Sequence, residues 1–328
     1  MESPRRRKWA KVGCIALILL LIAIPLVILG AIGKSPACYF PDNGPVEPGL
    51  SIRTIHSDGR ERCYTLYAPA QYDPTHPLPL ILSLHGFAGN ASGLRDMTGW
   101  DALAESEGFL VVYPEGSSFP LRWNTTPAAN IEEVDDVQFI RDLLAELSAV
   151  AAVDPARIFV TGFSNGGGMS HRLACRLADQ IAAVGLVSGL DPREFESCQP
   201  SRPVPVISFY GTADPLVQAQ YPPWFQALIN VSLEKESLPE GNPETWFRAW
   251  AEEWNGCVGP AENFSRPGVI NGLRYTACPE NAEAILYPVE GHGHAWPGGP
   301  SVPFLGSSST TVQASQLMWE FFSQHPLR

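Results

Sequence analysis

Residues Ile158 to Gly168, read as IFVTGFSNGGG, decide how this chain is read. Arg157–Thr161 has the apolar look of a buried strand, and Asn165–Ala178 that of the helix after it. Between them Gly162-Phe163-Ser164-Asn165-Gly166 matches Gly-x-Ser-x-Gly. A strand that turns into a helix within a few residues needs small neighbours at the bend. Gly162 and Gly166 allow that close approach, and Ser164 then projects above the sheet at a helix N-terminus as a nucleophile. The pentapeptide alone would also suit a glycine-rich surface turn. The strand before it and the helix after it favour the nucleophile.

Working outward, Ser51–Ala68 alternates and reads as opening strands, and Leu78–Leu84 (LPLILSL) as a buried strand closed by His85 and Gly86. Trp100–Glu107 is helical and Phe109–Tyr113 is the next strand. A helix follows from Asp135 to about Ala149, with Asp135 and Asp136 suited to the positive end of its dipole. Further strands fall at Ile181–Val187, Val204–Tyr210 and Ala284–Val289, with a terminal helix at Thr311–His325. Apolar strands alternating with amphipathic helices predict an α/β fold whose mostly parallel sheet is covered on both faces. More than seventy residues separate Tyr210 from Ala284. They read as an insertion after the acid-bearing strand, beside the site's rim, with a helix over Pro243–Trp254.

The N-terminus has another character. Arg5, Arg6, Arg7, Lys8 and Lys11 precede an uncharged apolar run, Val12–Ile32, of 21 residues. At about 1.5 Å per residue this run can cross a bilayer, and the charge bias leaves the remainder outside the cytoplasm. Residues 1–33 thus read as a transmembrane anchor or a signal peptide. Ser35-Pro36-Ala37 offers small residues for cleavage before Cys38. Residues 34–50 form a Pro- and Gly-rich arm, and 51–328 a single catalytic domain. The expected location is extracytoplasmic, either secreted or membrane-anchored. Apart from Cys14, six cysteines lie in the exported part: Cys38, Cys63, Cys175, Cys198, Cys257 and Cys278. An oxidising compartment permits three disulfides among them. Pairing of sequence neighbours is the expectation. No Cys-x-x-Cys and no zinc-type spacing occurs, so no metal site is expected. The formal charge of −12 argues against a nucleic-acid partner.

Acyl transfer requires donors aimed at a developing oxyanion. One is the N–H of Asn165, the residue after the nucleophile. The second is assigned to Phe87 in LHGFAGNA, where Gly86 permits the turn. The acid should follow the nucleophile and the base come last. Asp214 in YGTADPLV, just past a strand end, is favoured over Asp191 in SGLDPRE. For the base, VEGHGHAWPGG offers His292 and His294, and periodicity does not choose between them. His56, His76, His85 and His171 occupy other positions.

Together LHG, GFSNGG, GTADPLV, NGC and GHGHAWPGG resemble the secreted polyhydroxybutyrate depolymerase and feruloyl esterase family, from about Ile52 to His325. The resemblance implies an α/β-hydrolase fold and a serine carboxylic-ester hydrolase that needs no cofactor. In that family the catalytic histidine precedes x-Trp-Pro-Gly, which selects His294. The nucleophile falls on Ser164 and the acid on Asp214. His292 then becomes a rim residue. Asp135-Asp136-Val137, Phe139 and Trp123-Asn124 also resemble family positions. WNTTPAAN stands where members often carry Cys and Gly, which leaves the rim geometry open. Trp123, Tyr221, Trp224 and Trp296 are candidates for lining an acyl or polymer groove. Polyhydroxybutyrate-type polyesters or oligomer esters are the first expected substrates. Feruloyl or acetyl-xylan esters are the alternative, and a catalytically silent glycan-binding surface protein is a third reading. Membrane association is expected through the N-terminal segment alone.

Overall fold

In a computed structural model of the chain, residues 38, 40–118, 120–125, 134–189, 199–217, 242–302 and 305–327 are described. The basic N-terminus and the apolar run Val12–Ile32 lie outside them. Among the described residues no helix is long and apolar enough to cross a membrane.

The scaffold is one ten-stranded sheet in the order β1-β2-β4-β3-β5-β6-β7-β10-β9-β8. Its first strands, β1 (Gly49–Ser57) and β2 (Arg60–Ala68), form an antiparallel hairpin closed through Asp58 and Gly59, both at positive φ. The arm before β1 is tied to this hairpin. Asp42 N–H donates to Ile52, the Arg53 guanidinium donates to Gly44, and Cys38 is disulfide-bonded to Cys63. The parallel centre consists of β3 (Leu78–Leu84), β4 (Leu110–Pro114), β5 (Val153–Phe163), β6 (Ala183–Val187), β7 (Val206–Gly211) and β10 (Ala284–Val289).

Helices cover both faces, and the period-2 geometry of the strands sends alternate residues to opposite cores. On β5, Ile158 and Val160 enter one core with Phe139, Leu143, Leu173 and Trp250. Phe159 and Phe163 enter the other with Trp100, Met318 and Phe322. The first face carries α3 (Asp136–Val150), α4 (Asn165–Arg176) and α5 (Pro243–Ala249). The second carries α1 (Ala91–Thr98), α2 (Trp100–Glu107) and α6 (Ala314–Phe322). This is the α/β-hydrolase fold that the sequence predicts.

The described part of the long insertion departs from a simple rim. It supplies β8 (Glu262–Arg266) and β9 (Val269–Tyr275), and β9 pairs antiparallel with β10 to extend the sheet to its far edge. After α5 the chain passes into a π-helical turn, Trp250–Trp254, rather than continuing as α-helix. The Cys257–Cys278 disulfide joins that turn to the end of β9. Cys175 is also disulfide-bonded. Cys198 lies outside the described residues.

Candidate active site

Ser164 sits where β5 becomes α4, with φ 53° and ψ −118°, a backbone region that costs a non-glycine residue of order 1–3 kcal/mol. Its neighbours explain how the bend closes. A Cβ on Gly162 would lie 2.1 Å from the Gly166 carbonyl oxygen, and one on Gly166 would lie 2.1 Å from that of Leu84. Only glycine fits at either position. Ser164 N–H donates to Val187 on the neighbouring strand and its carbonyl accepts from Gly168, so the strained residue is held on both sides.

Asp214 follows β7 and is fully buried. His294 follows β10 and is 4% exposed. Its Nδ1 lies 2.7 Å from Asp214 Oδ2, which leaves Nε2 to face the site. Burial pushes the Asp214 carboxyl up, but the hydrogen bond and charge of His294, with the Leu216 N–H, outweigh it and hold the pKa below the usual carboxylate range. The buried Ser188 hydroxyl faces the same carboxylate without closing a normal hydrogen bond. The Phe163 ring packs 4.9 Å from that of His294, centroid to centroid. Ser164 Oγ makes no hydrogen bond to His294 here. Catalytic contacts of this kind often tighten only when substrate binds.

The β3 exit loop passes directly over the serine. A Cβ on Gly86 would touch the Ser164 Cβ at 3.4 Å, and the Phe87 N–H follows in the next peptide. Neither Phe87 N–H nor Asn165 N–H has an acceptor among the described residues. Both donors belong to segments that flank Ser164: Phe87 in the loop above it and Asn165 directly after it. The described residues also hold no cluster of His, Cys, Asp and Glu suited to a metal ion.

Three expectations change. His292 is not on the rim. It is 1% exposed, its Nε2 donates to the Ala295 carbonyl, and its Nδ1 accepts from Ser309 N–H, so it braces the loop that carries His294. Burial pushes its pKa down. Trp123 and Trp296 are likewise almost fully buried, although Trp296 lines a surface cavity with Met97, Leu103 and Pro297. Trp123 stacks on Phe139 and donates to the His85 carbonyl, while Trp296 donates to Ser315 Oγ. Tyr221, Trp224 and Asp191 lie outside the described residues. What the sequence does not expose is His85, buried beneath the oxyanion loop. Its place directly before Gly86 was the available signal.

A hydroxyl on a strained strand-to-helix turn, beside an imidazole held by a buried carboxylate on an α/β-hydrolase scaffold, marks the class as an ester hydrolase. The family described as Esterase PHB depolymerase matches residues 62–214. Putative esterase NocK of Nocardia uniformis is 33% identical over 264 residues, covering 76% of this chain and 74% of that protein. The chain belongs to this esterase PHB depolymerase family. Feruloyl esterase B of Piromyces equi is 32% identical over 245 residues, 69% of this chain, but the chain spans only 41% of that protein. Feruloyl esterase D of Neurospora crassa is 27% identical over 323 residues, covering 94% and 96% of the two chains. Among solved structures, the acetyl xylan esterase from Aspergillus awamori superposes with a TM-score of 0.58 at 16% identity, covering 83% of this chain and 99% of that one. That likeness speaks for the fold.

Proposed function

We propose that this chain is an exported serine carboxylic-ester hydrolase that works through an acyl-enzyme, with Ser164, His294 and Asp214 as its triad. The observation that carries the proposal is the 2.7 Å contact between His294 Nδ1 and the buried Asp214 carboxylate, beside a serine on a strained turn. His294 Nε2 takes the Ser164 proton as Oγ attacks the ester carbonyl, and Asp214 fixes the tautomer and stabilises the imidazolium. The N–H groups of Phe87 and Asn165 hold the oxyanion. His294 then gives its proton to the leaving alcohol and activates the water that releases the acid. Disulfides and the basic, apolar N-terminus support work outside the cytoplasm.

Polyhydroxybutyrate-type polyester or its oligomers form the first substrate class, in line with the family. Feruloyl or acetyl esters of plant polysaccharide form the second, favoured by the names of the relatives above. The test is hydrolysis by the purified full-length chain of 3-hydroxybutyrate oligomers, methyl ferulate and acetylated xylan, beside Ser164→Ala. Oligomer cleavage alone supports the polyester reading. Release of ferulate or acetate alone supports the polysaccharide reading. Turnover that survives Ser164→Ala would overturn the serine mechanism.

A further inference from the structure

We infer that His85, Trp123 and the side-chain amide of Asn165 form a clasp that fixes the two oxyanion donors relative to each other. They are positioning residues for the serine chemistry proposed above, and the inference rests on that reading.

The chain of contacts begins at Gly86. In a planar trans peptide the Gly86 carbonyl and the Phe87 N–H point in opposite directions from one rigid plane. Whatever holds the carbonyl therefore aims the N–H. Two donors hold it: His85 Nδ1–H at 2.8 Å and Gly89 N–H at 3.0 Å. The His85 tautomer follows from its other nitrogen, which accepts the Gly116 N–H at 2.9 Å and so carries no proton. Two bonds to one carbonyl also polarise the peptide and make its N–H a better donor.

His85 is held in turn. Trp123 Nε1–H donates to the His85 carbonyl at 2.9 Å, and the two rings pack 5.2 Å apart. The main chain of Trp123 is gripped by Asn165. Asn165 Oδ1 accepts the Trp123 N–H at 2.7 Å, and Asn165 Nδ2 donates to the Trp123 carbonyl at 3.2 Å. Asn165 thus offers its own N–H to the oxyanion while its side chain reaches, through Trp123 and His85, to the peptide that presents the other N–H. His85 and Trp123 are 1% and 2% exposed, so water does not compete for these bonds. Oxyanion donors act only within a few tenths of an ångström of their proper distance, and a displacement of about 1 Å can cost 100-fold. A clasp that links both donors sets that distance before substrate arrives.

The test uses Trp123→Phe, which keeps a stacked ring and loses the N–H, together with His85→Ala and His85→Asn in the full-length chain. An Asn side-chain amide can replace the Nδ1–H donor. With p-nitrophenyl acetate, Trp123→Phe and His85→Ala should each lower kcat roughly 10- to 100-fold with KM within about twofold. Affinity for phenylboronic acid, which becomes tetrahedral on the serine, should fall by the same factor, while that for planar benzoate stays put. His85→Asn should recover most of the loss. If the folded Trp123→Phe variant keeps wild-type kcat and boronate affinity, the clasp is refuted. It is refuted equally if planar and tetrahedral ligands weaken alike, because that pattern marks general damage. Should His85→Ala not fold, Trp123→Phe and His85→Asn still decide. Ser164→Ala separates the two levels: wild-type turnover there overturns the serine reading itself, whereas its inactivity beside unaffected clasp variants overturns the clasp alone.

Discussion

Acid should strip stability from this protein through His85. The ring is buried, and desolvation holds its pKa down to about 4 from an ordinary imidazole value of 6.5. Its hydrogen bond to the Gly86 carbonyl opposes that fall, and the nearby Arg62 charge adds to it. The Glu115 carboxylate stands 3.9 Å from Nε2, and Gly116 N–H occupies that nitrogen. Protonation must therefore break a bond as well as bury a charge. Between about pH 6.5 and 4 the unfolded chain binds a proton at this position that the folded chain refuses. Stability contributed by the neutral ring is complete above that window, declines as pH falls through it and levels off below it. At about 1.4 kcal/mol per pH unit the whole window is worth about 3 kcal/mol. Guanidinium unfolding followed by tryptophan fluorescence at pH 7, 6, 5 and 4.5, disulfides intact, measures it. His85→Asn removes the titration. The stability gap between wild type and variant should therefore shrink steadily as pH falls, whatever its size at pH 7. Parallel curves across the range would show that His85 takes its proton in the native state as readily as in the unfolded one, and would refute the argument.

Other outcomes follow from the same site. Ser164→Gly and Ser164→Ala should both be inactive, but the glycine variant should be more stable by about 1 kcal/mol in denaturant titration. Relief of about 1–3 kcal/mol of backbone strain exceeds glycine's entropy cost of about 0.5–1; equal stabilities would mean that the elbow stores no strain. Asp214→Asn should lower kcat by about 10⁴-fold through the wrong His294 tautomer, and a loss below tenfold would remove Asp214 from the triad. Replacing both Cys257 and Cys278 by alanine should cost about 3 kcal/mol in chemical unfolding, from a sequence separation of 21 residues. No change in the unfolding midpoint would mean that the β9 end is held without the bond.

Sequence alone locates the central elements well, for a physical reason. Leu78–Leu84, Trp100–Glu107 and Ala284–Val289 carry the same boundaries in the structure as in the sequence reading: the two strands are short apolar blocks, and Gly108 at positive φ ends the helix. The elbow is legible because no other residue fits where a Cβ would meet a carbonyl oxygen at 2.1 Å. Helix α1 is not legible in the same way. Its sequence ASGLRDMT buries only Ala91, Leu94 and Thr98, and the clearest mark is Asn90, whose side chain caps the helix by accepting from Gly93 N–H. The β8–β9 hairpin hides because β8 is a mostly exposed edge strand, ENFSR, with little apolar pattern. For His292, Trp123 and Trp296 the sequence gives residue type but not surroundings. Aromatic rings near a triad look alike whether they face a groove or fill a core, and the hydrogen bonds that distinguish them come from segments remote in sequence.

Strand order explains why the base must come from so far along the chain. Ser164 leaves β5, Asp214 leaves β7 and His294 leaves β10, with β6 between the first two and β10 beyond β7. At about 4.8 Å per strand, β10 stands about 14 Å from β5, so the imidazole has to be carried back across two strands. The loop from Glu290 to His294 does this by leaning on β7. Gly211 leaves room for the His292 carbonyl, which a Cβ there would meet at 2.1 Å, and the same carbonyl accepts from Ala213 N–H at 3.0 Å. On its far side, His294 N–H donates to Leu305 at 2.7 Å, and the buried His292 ring ties Ala295 to Ser309. The proposed acid and base are thus built on one braced unit from β7 and β10. The proposed nucleophile and oxyanion donors are built on another, from β3 and β5, linked by the hydrogen bonds of His85, Trp123 and Asn165. Each unit is fixed internally by buried hydrogen bonds, and Ser164 Oγ to His294 is the contact between them that this structure leaves open. On the proposed mechanism the proton-transfer distance is the quantity that substrate binding would set, while the His294–Asp214 pairing is in place beforehand.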